Sequence, residues 1–323
     1  MPVPDSTRYA RDAADAIGAR FEDLDNGEGY LFRISRGGHF VLGGGGNVCS
    51  YPVNSAPAYT ISRDKAHTKA VLAACDIPVI PGGLWFAHGR RAALRGPGRE
   101  ARDAAAFAER LGYPVFCKPN NGSRGIFAEV VRDAAELEDY IRGVAVEFEA
   151  FLIEPVLDGA EHRVFVLDGR PIFHATKSTP ALVGDGRSTL AQLLADLNAQ
   201  LQLEGISATP ASALGGHDLT ATPAPGERIP LPGRRNLSAS GGIETFSERV
   251  PAPLAHLAIA AVAALGLRAG AVDLFDLSAA RDLSDNVVIE VNGNPGLRTL
   301  ELAGRTDLIR AIWVHMLDAC LNG

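Results

Sequence analysis

Asp273, Glu290 and Asn292 have the residue types and spacing of a divalent-cation site. In a strand, residues i and i+2 point to one face, so Glu290 and Asn292 present oxygens side by side while Ile289 and Val291 turn to the core. A loop of roughly ten residues, Leu277 to Asn286, predicts that the Asp273 strand is an antiparallel neighbour, which brings a third oxygen alongside. Two carboxylates and one amide oxygen, with coordination positions left over, suit magnesium whose shell is completed by phosphate oxygens. The competing reading, a solvated strand face, sits poorly with the apolar residues around all three.

Lys118 stands at a predicted strand end, before Pro119 and the loop Asn120 to Gly125, where an ammonium and backbone N–H groups can meet phosphate oxygens. Taken alone, a lysine in that position reads more often as a surface residue. The run Gly43 to Gly46 has no helix pattern behind it and no lysine where a phosphate loop needs one, so it reads as a turn. His162 and His174 lack metal-ligand spacing and read as core or surface histidines. Cys49, Cys75, Cys117 and Cys320 lie far apart with no CxxC and read as buried free thiols.

The elements that must position these groups follow from periodicity and breakers. A short helix is predicted over 6–20, ended at Gly18, then a hairpin turning on Gly37-Gly38. A helix opening at the polar cap Ser62 runs to Leu72, and another near 100–111 ends at Gly112. A strand from Tyr113, the glycine loop, a strand from Ile126 to Val131 and a helix from Asp133 to Arg142 form one unit. Beyond them come a buried strand at Phe151, a hairpin turning on Asp168-Gly169 and a helix over 188–202. The stretch from about 205 to 252 is polar and rich in Gly, Pro and Ser, the composition of a functional loop or lid. A helix at 253–265, strands Ala271 to Phe275 and Val287 to Asn292, and a helix at 305–321 close the chain.

With 323 residues, 46% hydrophobic and 21% charged, the chain has the apolar content of a packed globular protein, which excludes disorder. A net charge of -7 gives no general basic field and disfavours nucleic acid or an anionic membrane as partner. No apolar run approaches the ~20 residues that span a bilayer, so a cytoplasmic protein acting on small molecules is expected.

Six segments in order resemble the ATP-grasp superfamily of ligases: SRDKAHTKAVL with IPVIPG, YPVFCKPNNGSRG, FLIEPVLDGAEHRVFVLDGRPI, VGDGRSTLAQLL, RRNLSASGG and VIEVNGNPGLR. The resemblance runs from about residue 60 to residue 300 and is closest to cyanophycin synthetases, bifunctional glutathione synthetases and D-alanine–D-alanine ligases. It implies an α+β fold whose two lobes hold ATP between them, with a reduced N-terminal region. The expected divisions are 1–60 (N-terminal region with hairpin), 61–112 (helical linker), 113–155 (lid subdomain with the glycine loop) and 156–323 (metal site and substrate loop).

Carried over residue by residue, the resemblance implies ATP contacts by Lys65, Lys118, Gly122, Ser123 and Gly125. Glu154, Val156 and Leu157 are expected at the adenine and Glu161 at the ribose, although a salt-bridged sheet edge explains Glu161 equally well. Asp273, Glu290 and Asn292 are implied as ligands of two magnesium ions, with manganese as a substitute. Arg163, Arg235 and Arg298 are implied to face phosphate or the acyl substrate, and Asn236, Ser238, Asn294 and Gly296 to line the substrates. Where D-alanine ligases carry an arginine two residues before the first metal aspartate, this chain has Ala271, so oxyanion stabilisation is assigned to Arg235 or Arg298.

The implied activity is ATP-dependent amide formation through an acyl-phosphate, of peptide or γ-glutamyl type, on small carboxylate and amine substrates by a homodimer. Two further classes fit the same motifs: a ligase modifying a peptide or protein, and a non-catalytic nucleotide-binding module.

Overall fold

The structure, a computed structural model, describes residues 3–46, 48–122, 125–157, 159–178, 181–203, 208–231, 243–277 and 285–322. In chain order the helices are α1 (Asp5–Ala16), α2 (Ala56–Ser62), α3 (Lys65–Ala74), α4 (Ala101–Leu111), α5 (Ala134–Val144), α6 (Leu190–Leu203), α7 (Ala252–Ala264), α8 (Arg298–Leu302) and α9 (Thr306–Leu321). The strands are β1 (Arg20–Asp23), β2 (Leu31–Arg36), β3 (His39–Gly44), β4 (Gly83–Phe86), β5 (Val115–Pro119), β6 (Glu129–Val131), β7 (Ala150–Pro155), β8 (Ala160–Leu167), β9 (Arg170–Ser178), β10 (Ala181–Val183), β11 (Arg228–Pro230), β12 (Ile243–Ser247), β13 (Ala269–Asp276) and β14 (Asn286–Asn292). The chain divides into two compact units, Met1–Ile80 with His162–Ala175 and Phe246–Gly323, and Pro81–Glu161 with Thr176–Thr245. Both units are discontinuous in sequence, whereas the segments drawn from sequence order were continuous.

The first unit is built on a sheet of order β12-β9-β8-β13-β14 with an apolar cluster on each face. Strand alternation sorts the residues: Phe165 and Leu167 enter one cluster, Val164 and Val166 the other. Along β13, Ala269 and Ala271 go with the first set, Val272 and Leu274 with the second. The first cluster also receives α1, α9 and the antiparallel sheet β1-β2-β3, and the second receives α3 and α7. Hairpin β2–β3 turns on Gly37 and Gly38, both at positive φ, as the sequence predicts. Gly43 and Gly44 belong to β3 itself. A Cβ on Gly44 would run into the Tyr30 carbonyl, so glycine there serves close backbone approach.

The second unit carries the antiparallel sheet β4-β7-β5-β6, whose core takes Trp85, Phe151 and Ile153 together with α4 and α5. A smaller cluster around Leu182, Leu190 and Ile229 joins α6 to the β10–β11 pair.

Three expectations change. The helix predicted from Ser62 is two helices: Ser62 ends α2, and the Asp64 carboxylate, accepting the His67 N–H at 2.8 Å, caps α3. Strand β6 begins at Glu129 rather than Ile126 because Gly125 to Phe127 form a turn with Phe127 at φ 52°, outside the β region. Of the thiols only Cys117 is buried, with its pKa pushed up to about 12 by burial, while Cys75 at the end of α3 is exposed. Among the described residues no helix is long and apolar enough to cross a membrane.

Candidate functional site

In the first unit β13 and β14 are antiparallel neighbours, with Asp273 opposite Glu290 and Ala271 opposite Asn292. Directly opposed residues share a face, so the three oxygen-bearing side chains lie together as the spacing predicts. The register slips by one residue after this point, placing Leu274 opposite Val288 and leaving Ile289 as the extra residue of a bulge. This corrects the expectation that Ile289 and Val291 face the core as an i, i+2 pair. Val288 and Val291 both enter the apolar cluster, and Ile289 is half-buried.

Three groups surround this acidic pair. Arg163 of β8 donates from Nε and an η nitrogen to the two oxygens of Asp273, each at 2.8 Å. Lys65, first residue of α3, holds Nζ 3.6 Å from Glu290. Asn292 donates its amide to Glu290 Oε1 at 3.1 Å, so Oδ1 is the atom it would offer a cation. Ala271 is fully buried among Phe165, Leu297 and their neighbours, which leaves no room for an arginine there. A guanidinium nonetheless lies beside the aspartate, supplied by β8.

A second tier holds the loop that follows β14. Asn54 accepts the Arg268 and Ala269 N–H groups through Oδ1 at 2.9 and 3.0 Å. Its Nδ2 donates to the Ala269 and Gly293 carbonyls at 2.7 and 2.8 Å. Ser50 Oγ donates to the Asn294 side chain at 2.5 Å, and the Tyr51 hydroxyl to the Pro295 carbonyl at 2.6 Å. Asn294 is half-buried, while Gly296 and Arg298 are exposed at the start of α8. Sequence reading missed this brace because a single Asn or Ser within a loop carries no spacing signal.

In the second unit, the buried Lys118 of β5 is 2.9 Å from Glu154 of β7, which is also buried. The register explains the pairing: Lys118 lies opposite Leu152 and Phe116 opposite Glu154, so the two charged side chains are diagonal neighbours on adjacent strands. Glu161 accepts from the buried Lys177 at 2.6 Å. Lys177 was absent from the expected set, since nothing in its spacing links it to Glu161. Val156 is exposed and Leu157 half-buried just past β7. Gly122 and Gly125 flank the glycine loop after β5, and Ser123, Arg235, Asn236 and Ser238 lie outside the described residues.

His162 and His174, which read as core or surface histidines without metal-ligand spacing, are in contact with each other. Nδ1 of His162 lies 2.7 Å from Nε2 of His174 with the rings stacked. Burial lowers both pKa values, offset at His162 by Asp276 and deepened at His174 by His162.

Among the described residues no three His, Cys, Asp or Glu side chains converge to hold a metal unaided. The donor set on β13 and β14, two carboxylates and an amide oxygen, is the incomplete hard-oxygen set that magnesium takes when substrate phosphates supply the rest.

No family model matches the sequence. It is 27% identical over 256 residues to a cyanophycin synthetase of Trichormus variabilis, covering 74% of this chain and 27% of that protein. It is 28% identical over 304 residues to a bifunctional glutathione biosynthesis protein of Enterococcus faecalis, covering 88% of this chain and 38% of the relative. The chain thus corresponds to well under half the length of these relatives. A bifunctional glutathione synthetase structure from Pasteurella multocida superposes with a TM-score of 0.60 at 20% identity, over 96% of this chain and 44% of that one. A D-alanine–D-alanine ligase from Bacillus anthracis does so with a TM-score of 0.51 at 16% identity, over 82% and 72%. The chain thus has the α+β fold of these ligases and is similar in sequence to members of the ATP-grasp superfamily.

Proposed function

We propose that this chain is an ATP-dependent carboxylate–amine ligase. It joins small amino-acid or peptide substrates by a peptide or γ-glutamyl bond and releases ADP and phosphate. The observation that carries this reading is the convergence of Asp273, Glu290 and Asn292 on one sheet face, with Arg163 and Lys65 against the carboxylates. Its sequence relatives, which include glutathione and cyanophycin synthetases, support the same class of chemistry.

Asp273, Glu290 and Asn292 would hold magnesium, which when bound offsets charge on the ATP phosphates and on the transferring phosphoryl group. Lys65 and Lys118 are each assigned to phosphate oxygens, and Glu154 holds the Lys118 side chain in place within its sheet. Glu161, steadied by Lys177, accepts from the ribose hydroxyls. Arg163 fixes the rotamer of Asp273 through a two-pronged contact. The substrate carboxylate attacks the γ-phosphorus and becomes an acyl-phosphate; the amine then displaces phosphate, so no enzyme-bound covalent intermediate is needed. The protein contributes positioning and electrostatic stabilisation. The proposed setting is the cytoplasm and the proposed assembly a homodimer, both supported by the resemblance.

The test is a screen of paired amino acids and related acids for ADP and phosphate release, with mass spectrometry of the products. A product lighter by one water than its two substrates combined is expected. Phosphate release without any condensed product would sink the ligase reading.

A further inference from the structure

In the second unit β4 ends where β7 begins, with Phe86 opposite Ala150, and two surface segments meet the sheet together at that end. The Phe86 N–H donates to the Arg99 carbonyl at 2.8 Å, which closes loop 87–99 at its base. The Ala87 N–H donates to the Glu149 carbonyl at 3.0 Å, which ties this loop to residues 146–149 after α5. Arg95 fixes the loop from within. Its guanidinium carbon lies 3.9 Å from the centre of the Phe86 ring. Its nitrogens donate to both Glu100 carboxylate oxygens at 3.0 and 3.1 Å and to the His88 carbonyl at 2.6 Å. The loop therefore has its shape before any partner arrives, which lowers the ordering cost of association.

Leu94 and Val146 are 85% and 84% exposed, more than any other large apolar side chain described. Arg90 and Arg91 precede the first, and Glu147 and Glu149 follow around the second. All four are exposed, and none belongs to an ion pair among the described residues. One exposed apolar side chain is ordinary on a surface, but two on joined segments, bordered by unpaired charges of both signs, have the makings of a contact. A polyanion attracted by the arginines would be repelled by the glutamates, and a basic partner the reverse. The surface that fits sets acid against the arginines and base against the glutamates, and a second copy related by a two-fold axis supplies that order by symmetry. Resting on the homodimer proposed above, we infer that these two segments are its interface. Arg90 and Arg91 face Glu147 and Glu149 of the second copy, Leu94 packs against its Val146, and the axis repeats each contact. The patch is smaller than the roughly 20–30 residues a side of a standard interface, so the dimer is weak and responds to concentration and salt.

The test is sedimentation equilibrium of the full chain from about 1 µM to about 1 mM, at low and high sodium chloride. Dimers should form within this range and weaken as salt is raised. Arg90→Glu with Arg91→Glu should lower the association constant by roughly 10- to 100-fold, and Glu147→Arg with Glu149→Arg should do the same, because each double variant sets like charges together twice. Leu94→Asp, at a position open to solvent, should weaken association by about tenfold or more. Mixing the two charge-reversed variants in equal amounts should restore the parental affinity between them. In that mixed dimer each reversed segment meets its reversed counterpart, and each unaltered segment its unaltered one. Circular dichroism verifies that every variant is folded. Variants that dimerise as the parent does would overturn this interface and leave the homodimer standing. A chain that stays monomeric throughout the range would overturn both. Loss of association in each variant without recovery in the mixture would overturn the two-fold arrangement.

Discussion

The two units hold acid–base pairs in opposite ways. In the second, Lys118 and Glu154 are 2.9 Å apart with side chains 6% and 1% exposed, a sealed pair between adjacent strands. In the first, Lys65 and Glu290 are 3.6 Å apart with side chains 13% and 28% exposed, an open contact at the end of a sheet. A sealed pair repays its desolvation only while both members remain, so damage to it registers first as lost stability. An open pair contributes little to stability because solvent screens it, and its partners can exchange when a cation or phosphate arrives. The difference assigns the fold's electrostatic liability to one unit and its adaptable acid to the other.

The sharpest way to break that contrast is Lys118→Met. It removes the ammonium from beside the buried Glu154 carboxylate and should cost about 3–5 kcal/mol in denaturant unfolding, whereas Lys118→Met with Glu154→Leu should regain most of the loss. A single variant as stable as the parent would show that the pair is not sealed. ADP formation should be lost in both variants, since the phosphate-binding cation is gone from each.

Glu290→Gln is the counterpart in the open pair. The side chain keeps its shape and half-open setting, so unfolding free energy should move by less than about 1 kcal/mol. ADP formation should fall by roughly 10²–10³-fold, the order found when one preorganised charge-stabilising group is removed. A variant that unfolds readily but turns over normally would reverse the roles assigned to the two units.

Asn54→Ala probes the brace behind the open site and should have a smaller effect. Four hydrogen bonds to the backbone at Arg268, Ala269 and Gly293 disappear together, for a cost of about 1–3 kcal/mol because the half-buried position lets water replace some of them. Asn54→Asp, which retains the acceptor and loses the donor, should fall between Ala and the parent in thermal unfolding.

Legibility in the sequence followed the range of the interaction. Glu290 and Asn292 share a face by period alone, and the short connection to Asp273 made the antiparallel pairing readable. The Gly37-Gly38 and Asp168-Gly169 turns were equally local. The Arg163–Asp273 fork and the Asn54 brace join segments far apart in the chain, while the Ile289 bulge and Lys177 beside Glu161 depend on the exact register within a sequential strand pair, and no periodicity encodes either. The α2–α3 break was local yet missed, because Ser62 and Asp64 are both acceptable caps and only the backbone at Asp64 decides between them.

The smallest expected effect concerns pH and sits on the open unit's own sheet. His162 and His174 share a contact that requires one ring nitrogen to accept, so protonating both removes the acceptor. Burial lowers both folded pKa values below the ordinary 6.5, which means the unfolded chain binds more protons than the folded one as the solution is acidified. By sign, the pair's contribution is full above about pH 6.5 and is lost as pH falls through the depressed folded values. The melting temperature should therefore drop between about pH 7.5 and about pH 5.5, and His174→Gln should flatten that dependence. Lys118→Met with Glu154→Leu leaves the histidine contact intact and should therefore leave the slope unchanged. A slope that vanished in this double variant and persisted in His174→Gln would place the pH-sensitive element in the wrong unit.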